Sequence, residues 1–253
     1  MEEKDTTYSS VWLFRKKRTL WEGTDPMSGI KDFRKVRGKN FSEFNPTVAE
    51  NIINFWSNEG DIILDPFAGR TRALISSLKN RKYIGFEISK KAYQTNNNLI
   101  FENIQEGFIP KIFNDDSFNI KNYNLPKVDL IFTCPPYHDI EKYESCGGQL
   151  SDIKNYNKFL ERYKEILKKS SELLKENKYL AIVVGDFRKK GKYYDFHNDT
   201  IKILKDIGLK LHDIVVIQSV SFDIANKRFG GIKKYDMTAK SHEYLLIFKK
   251  NAI

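Results

Sequence analysis

Two hydrophobic rhythms alternate along this chain. Short, nearly continuous apolar runs are separated by segments whose apolar residues recur every three to four positions, the spacing of one helix face. The first helix is predicted in "NPTVAENIINFWSNEG" (45–60), with Val48, Ile52, Ile53 and Trp56 as its stripe and Asn45 and Pro46 at its start. From Asp61 the rhythm alternates. "DIILD" (61–65), "KYIGFE" (82–87), "VDLIFT" (128–133), "YLAIVVGD" (179–186), "LKLHDIVVIQ" (209–218) and "EYLLIFKK" (243–250) predict strands, and "GFIPKIF" (107–113) a shorter one weakened by Pro110. Helices are predicted over 70–80, 89–104, 152–176 and 198–208, the third striped by Phe159, Tyr163, Ile166, Leu167, Leu173 and Leu174. This order predicts an α/β fold with a mostly parallel sheet and helices on both faces. No Pro/Gly/Ser linker divides it. The expectation is one domain over 41–253, an irregular basic segment over 1–40 packed on it, and variable loops at 138–151, 187–197 and 219–241.

Charge narrows the partners. The formal net charge is +10 over 253 residues, which suits a polyanion or a lysine-rich solvated surface. The two cysteines, Cys134 and Cys146, form no CxxC pair, so neither a disulfide framework nor a zinc signature is expected, and a reduced, cytoplasmic setting is. Four histidines without ligand spacing predict no metal. No apolar run approaches the roughly 18 residues of a membrane span. The acidic, polar "MEEKDTTYSS" does not read as a signal peptide.

The loop after the first predicted strand, "ILDPFAGRTRA" (63–73), is the first candidate site. Ligands of open α/β sheets bind at the carboxyl ends of strands. Asp65 ends that strand, Pro66, Phe67 and Ala68 follow, and Gly69 permits close backbone approach. Glu87, followed by Ile88, ends the next strand, where an acid can accept both hydroxyls of a ribose. The dinucleotide fingerprint is absent, and Asp65 would repel a pyrophosphate. An ammonium-bearing nucleoside fits better: S-adenosylmethionine, with its ribose at Glu87 and its amino group near Asp65.

"DPFAGR" followed by "CPPY" resembles the S-adenosylmethionine-dependent amino-methyltransferases of DNA, whose hallmark motifs are DPFxG-like and (D/N/S)PP(Y/F). "NFSEFNPTVAENIINFW", "CPPYHDIEKYE", "AIVVGDFRKKGKYYDF" and "TAKSHEYLLIFKK" extend the likeness to methyltransferase domains of phage proteins, some of them fused to a nuclease domain. It runs from about residue 30 to the C-terminus. The resemblance implies a Rossmann-like sheet of seven strands, one antiparallel. It implies a DNA substrate, in the cytoplasm of a bacterium or phage-infected cell, and a possible separate specificity or nuclease partner. It also implies that Phe44, Asn45 and Pro46 touch the methionine end of the cofactor. An acid after the third strand, Asp115 or Asp116, would take the adenine amine. Two departures stand out. Arg70-Thr71-Arg72 replace the usual second glycine, so the cofactor's carboxylate end would be held differently, and Cys134 stands before Pro-Pro in place of Asp, Asn or Ser.

The chemistry explains the prolines. An exocyclic base amine is a poor nucleophile, because its lone pair is delocalised into the ring. The base must leave its stack, and acceptors must face the amine's protons. The Pro135-Pro136 unit fixes the direction of the Pro135 carbonyl and removes competing donors. Tyr137 offers a stacking platform. Cys134 is a weak hydrogen-bonding group, and Thr133 or a backbone carbonyl would assist. Attack by a Cys134 thiolate on cytosine C5 is a competing reading, although no cation adjoins Cys134 in sequence. Thr-Cys-Pro-Pro-Tyr lies nearer to the Thr-Ser-Pro-Pro-Tyr pattern of cytosine-N4 enzymes than to adenine-N6 patterns. An RNA base methyltransferase and a non-catalytic DNA-binding protein of the same fold are the remaining alternatives. Asp186, ending a central strand, is either a pocket residue or an ordinary turn. "RKKGKYY" (188–194) and "ANKRFGGIKKY" (225–235) mix cations with aromatics. Arg188, Lys189, Lys190, Lys227, Arg228, Lys233 and Lys234 are therefore candidate nucleic-acid contacts.

Overall fold

The apolar runs assemble into one mixed sheet. The computed structural model describes residues 9–15, 44–69, 71–104, 106–138, 147–220 and 242–252. The strands of this sheet are β1 (Val11–Arg15), β2 (Ile62–Asp65), β3 (Lys82–Phe86), β4 (Lys111–Phe113), β5 (Val128–Thr133), β6 (Leu174–Val184), β9 (Lys210–Val220) and β10 (His242–Lys249). A separate hairpin pairs β7 (Phe187–Lys189) with β8 (Lys192–Tyr194). The helices are α1 (Pro46–Trp56), α2 (Arg72–Leu78), α3 (Lys90–Asn103), α4 (Tyr156–Leu173) and α5 (Phe196–Asp206).

The sheet order is β1-β9-β10-β6-β5-β2-β3-β4, and β10 alone runs antiparallel to its neighbours. Among the described residues the expected seven strands are therefore eight. The additional one lies in the segment read as irregular: Val11–Arg15 pair in parallel with Val216–Val220 of the long edge strand β9. Trp12, 2% exposed, packs beside Trp56 of α1 with ring centroids 6.0 Å apart. A five-residue strand running into Lys16-Lys17-Arg18 gives too short an alternation to be read from sequence.

Successive strand side chains point to opposite faces, and both faces are covered, which is why the runs are apolar throughout. Ile63, Phe132, Ala181, Val183, Leu245 and Ile247 join the core beneath α1 and α2. Leu64, Ile131, Leu180, Ile182, Leu246 and Phe248 join the core that contains Phe159, Tyr163 and Leu167 of α4. All six residues of β5 are buried.

Helix ends follow local chemistry. The Asn45 side chain accepts from Thr47 N at 2.9 Å, and Pro46 begins α1. The helix expected over 152–176 is α4 alone, preceded by a 3-10 turn at Leu150–Asp152. β6 starts directly at Leu174, earlier than the apolar pattern suggests. Its polar first half contains Asn177 at φ 60°, a conformation Asn tolerates. The loop expected at 187–197 is mostly the β7–β8 hairpin. Its two-residue turn, Lys190 (φ 48°) and Gly191 (φ 78°), has the paired positive φ of a type I′ turn.

Because β2 to β6 are mutually parallel, their carboxyl ends share one edge of the sheet. The amino end of antiparallel β10 joins them, with Tyr244 paired to Val184.

Candidate active site

Asp65, at the end of β2, is fully buried, and four donors converge on its carboxylate. Phe67 N (3.0 Å) and Thr133 Oγ1 (2.6 Å) donate to Oδ1, and Arg72 Nε (2.6 Å) and Tyr83 Oη (2.8 Å) donate to Oδ2. These donors come from the loop itself, β5, α2 and β3. Burial disfavours the Arg72 charge, but Asp65, with smaller contributions from Tyr83 and Cys134, outweighs it and holds the guanidinium pKa above its ordinary value. Burial, then Asp65, pushes the Tyr83 phenol well up.

The Asp65 carboxylate is thus enclosed by protein donors that take up its acceptor sites. The Thr133 hydroxyl is buried and bonded to it.

The rest of the loop lies close on β3. Ala68 N donates to Phe86 O at 2.8 Å, and a Cβ at Gly85 would come within 2.6 Å of the Ala68 Cβ. Pro66 and Ala68 are buried, whereas Phe67 is half-buried beside Tyr163. Asn96 Nδ2 of α3 donates to Gly69 O at 2.9 Å. Phe44, just before the Asn45 cap, meets Phe132 edge-on at 5.5 Å, and Arg72 lies 5.1 Å from its ring. Phe44 thus lies between β5 and the residues that follow the loop.

The acids at the neighbouring strand ends form a second group. Glu87 follows β3, its N bonded to Phe113 O of β4, and its Oε1 accepts from Ser89 N at 2.8 Å, across Ile88. Asp115 accepts from Asp116 N, Asn119 Nδ2 and Tyr123 Oη at 2.7–3.0 Å. Burial works against its charge, but these donors lower its pKa overall. Asp116 accepts from Phe118 N at 2.9 Å and pairs with Arg162. Carboxylates at adjacent strand ends fit the donors of a nucleoside: two ribose hydroxyls and an adenine amine.

Beyond β5 come half-buried Cys134, buried Pro135 and half-buried Pro136 and Tyr137. The fold brings the Arg72 guanidinium within electrostatic reach of Cys134, a proximity absent from the sequence, but that charge is paired with Asp65. Tyr137 is held at both ends. Its Oη donates to Glu243 Oε1 of β10 at 2.8 Å, and its ring meets Phe187 and Phe196 at near-perpendicular angles, each 6.2 Å away. A Cβ at Gly185 would sit 3.1 Å from that hydroxyl, so glycine makes room for it. Glu243 was not singled out as a site residue, although it lies within "TAKSHEYLLIFKK".

Asp186 is a clamp rather than a pocket acid. It accepts from Tyr193 Oη (2.7 Å), His197 N (3.1 Å) and His197 Nδ1 (2.8 Å), joining the hairpin to α5. Burial opposes its charge, but these bonds lower its pKa. Asp186, Asp195 and His197 bring potential ligand atoms within 4.8 Å, with His197 Nδ1 hydrogen-bonded to Asp186 at 2.8 Å and 3.0 Å from Asp195 Oδ1.

Phe187 anchors the base of the hairpin against Tyr137, and Arg188, Lys189 and Lys190 follow it toward the hairpin turn. Arg188 lies 5.0 Å from the Tyr193 ring. Lys227, Arg228, Lys233 and Lys234 lie outside the described residues, as does Cys146. No helix among the described residues is long and apolar enough to cross a membrane.

A family model described as DNA methylase matches residues 1–98 and 128–253. The orphan methyltransferase M.BamHII of Bacillus amyloliquefaciens is 50% identical over 58 residues, 22% of this chain and 22% of that protein. The type II methyltransferase M.BamHI of the same organism is 35% identical over 91 residues, 35% of this chain and 18% of that protein. The matches thus span about a fifth of these curated relatives. Among solved structures, TrmN from Thermus thermophilus superimposes with TM-score 0.55 at 14% identity, over 85% of this chain and 50% of that one. That likeness is one of fold.

If Asp65 ties the loop to the sheet, Asp65→Ala should lower the unfolding free energy by about 3–5 kcal/mol, the usual effect of stranding one partner of a buried pair. Adding Arg72→Met should restore part of the loss in urea titrations. A single variant as stable as the parent would show that the pair holds nothing together.

Proposed function

This chain belongs to the DNA methylase family, and from that membership and its site we propose that it methylates an exocyclic base amine in DNA with S-adenosylmethionine. The observation that carries the reading is a rigid Pro135-Pro136-Tyr137 turn joined through Thr133 to a DPFAG loop on the same sheet edge. S-adenosylmethionine supplies an electrophilic methyl group when bound.

The chain's own residues do the remaining work. Glu87 accepts the ribose hydroxyls, and Asp115 or Asp116 accepts the adenine amine. Phe44, Asn45 and Pro46 line the methionine end. The Pro135 carbonyl accepts a proton of the target amine and localises its lone pair. Tyr137 presents its ring to the extruded base, and its bond to Glu243 sets the ring's orientation before the base arrives.

Arg188, Lys189 and Lys190 hold phosphates beside the extruded nucleotide, and Lys227, Arg228, Lys233 and Lys234 extend that contact. Target selection falls to these loops or to a separate specificity partner. The target is cytosine N4. Cys134, close to serine in size, lacks the strong carbonyl-type acceptor that Asp or Asn would place before Pro-Pro.

Nucleoside mass spectrometry after incubating the chain with S-adenosylmethionine and unmethylated duplex DNA tests the reading. N4-methylcytosine is expected. N6-methyladenine alone would refute the choice of base, and methylation of RNA but not DNA would refute the substrate.

Tyr137→Ala should remove most turnover and leave calorimetric cofactor affinity nearly unchanged, because stacking, worth about 1–3 kcal/mol, acts on the base. Turnover equal to the parent's in a folded variant would remove Tyr137 from the platform.

The affinity for DNA should fall steeply with salt, and neutralising Arg188, Lys189 and Lys190 together should flatten that dependence. An identical slope in the triple variant would place the hairpin off the DNA.

A further inference from the structure

The Pro-Pro turn itself offers no group to take up a proton. Attack by an exocyclic amine leaves one proton too many on the nitrogen, and the side chain just before Pro135 is the weak hydrogen-bonding Cys134. The carboxylates near this sheet edge differ in what they have left to offer. Asp65 is fully buried under four donors, and Asp186 accepts from Tyr193 and twice from His197. Asp195 accepts from Asn198 Nδ2 at 2.9 Å and lies 3.0 Å from His197 Nδ1. Glu87, Asp115 and Asp116 follow β3 and β4, which β2 separates from β5 in the sheet.

Glu243 differs from all of these. It is the second residue of β10 and is exposed. Its Oε1 accepts from Tyr137 Oη at 2.8 Å, and its Oε2 has no hydrogen-bond partner among the described residues. β6 lies between β5 and β10, so Tyr137 reaches Glu243 across the end of that strand. Gly185 leaves the space: a Cβ there would stand 3.1 Å from Tyr137 Oη and 3.6 Å from Glu243 Cγ. Phe187 and Phe196 hold the ring in this line. A base stacked on the ring carries its exocyclic groups out past the ring's edge. On the hydroxyl side that edge ends at an open carboxylate oxygen.

We propose that Glu243 receives the proton released by the target amine. The proposal rests on the reading of the chain as a DNA amino-methyltransferase. The lone pair of the amine nitrogen forms the bond to the methyl carbon, and the carbon–sulfur bond breaks with its electron pair left on sulfur. The methylated nitrogen then bears a positive charge and sheds one proton to Glu243 Oε2. Because Glu243 is exposed, water takes that proton away and restores the carboxylate. An acceptor carried by antiparallel β10 thus does what Cys134 cannot.

Single-turnover methylation of unmethylated duplex DNA by the full chain, with calorimetric affinities for DNA and for S-adenosylmethionine, tests this. Glu243→Gln keeps an acceptor for the Tyr137 hydroxyl but cannot take up a proton. Its rate should fall about 100-fold, the usual scale of a lost general base, with both affinities unchanged. Tyr137→Phe keeps the ring and loses only the orienting bond, so its loss should be several-fold. Formate should restore part of the rate of Glu243→Ala and none of that of Glu243→Gln, whose amide fills the space. A Glu243→Gln rate within threefold of the parent overturns the proposal, and so does a loss matched by Tyr137→Phe or by a fall in either affinity. These outcomes leave the methyltransferase reading standing, whereas a parent that methylates no DNA overturns both. Should Glu243→Gln fail to fold, Glu243→Ala decides, and no rescue by formate overturns the proposal.

Discussion

The Asp65 carboxylate is the constraint on which the site depends. Its four bonds reach the loop, β3, β5 and α2, so the cofactor loop and the Pro-Pro turn cannot move independently. An acid enclosed this completely requires a cation and well-aimed donors, because an unpaired charge in a buried site is strongly disfavoured. Arg72 supplies the cation, and Thr133 and Tyr83 supply neutral donors. Thr133 ends β5 just before the Cys-Pro-Pro-Tyr turn, so its 2.6 Å bond to Asp65 fixes how far the loop after β2 lies from that turn.

The topology converts that local constraint into a site. Parallel strands bring the ends of β2, β3, β4, β5 and β6 to one edge. The acids Glu87, Asp115 and Asp116 follow β3 and β4, and the Pro-Pro turn follows β5. Antiparallel β10 contributes from the opposite chain direction, and through it Glu243 reaches the Tyr137 hydroxyl. A parallel strand in that place would bring its carboxyl end, not Glu243, to this edge.

Charge is distributed by role. Inside the loop, Arg72 and Asp65 cancel. Outside, the hairpin tip carries Lys189, Lys190 and Lys192 on two short strands whose base, Phe187, packs against Tyr137. Exposed cations of this kind act through long-range attraction and phosphate contact rather than through the fold's stability. Packing against Tyr137 and a cluster of cations thus meet at one hairpin.

Much of this was legible in the sequence. The apolar runs located the strands from Ile62 onward, because a sheet covered on both faces needs apolar residues at every position. Asn45 and Pro46 marked the start of α1, because capping is local chemistry. "DPFAG" and "CPPY" marked the two halves of the site, because glycine and paired prolines restrict the backbone wherever they stand. The sequence could not determine who bonds whom across 68 positions, as Thr133 and Asp65 do, or 106, as Tyr137 and Glu243 do. It suggested Asp65 as a ligand group, and only the tertiary structure decided that its carboxylate faces inward. It left Val11–Arg15 as an irregular segment, and pairing with β9 made it a strand. Such contacts depend on which elements the sheet order brings together, and no local propensity encodes that order.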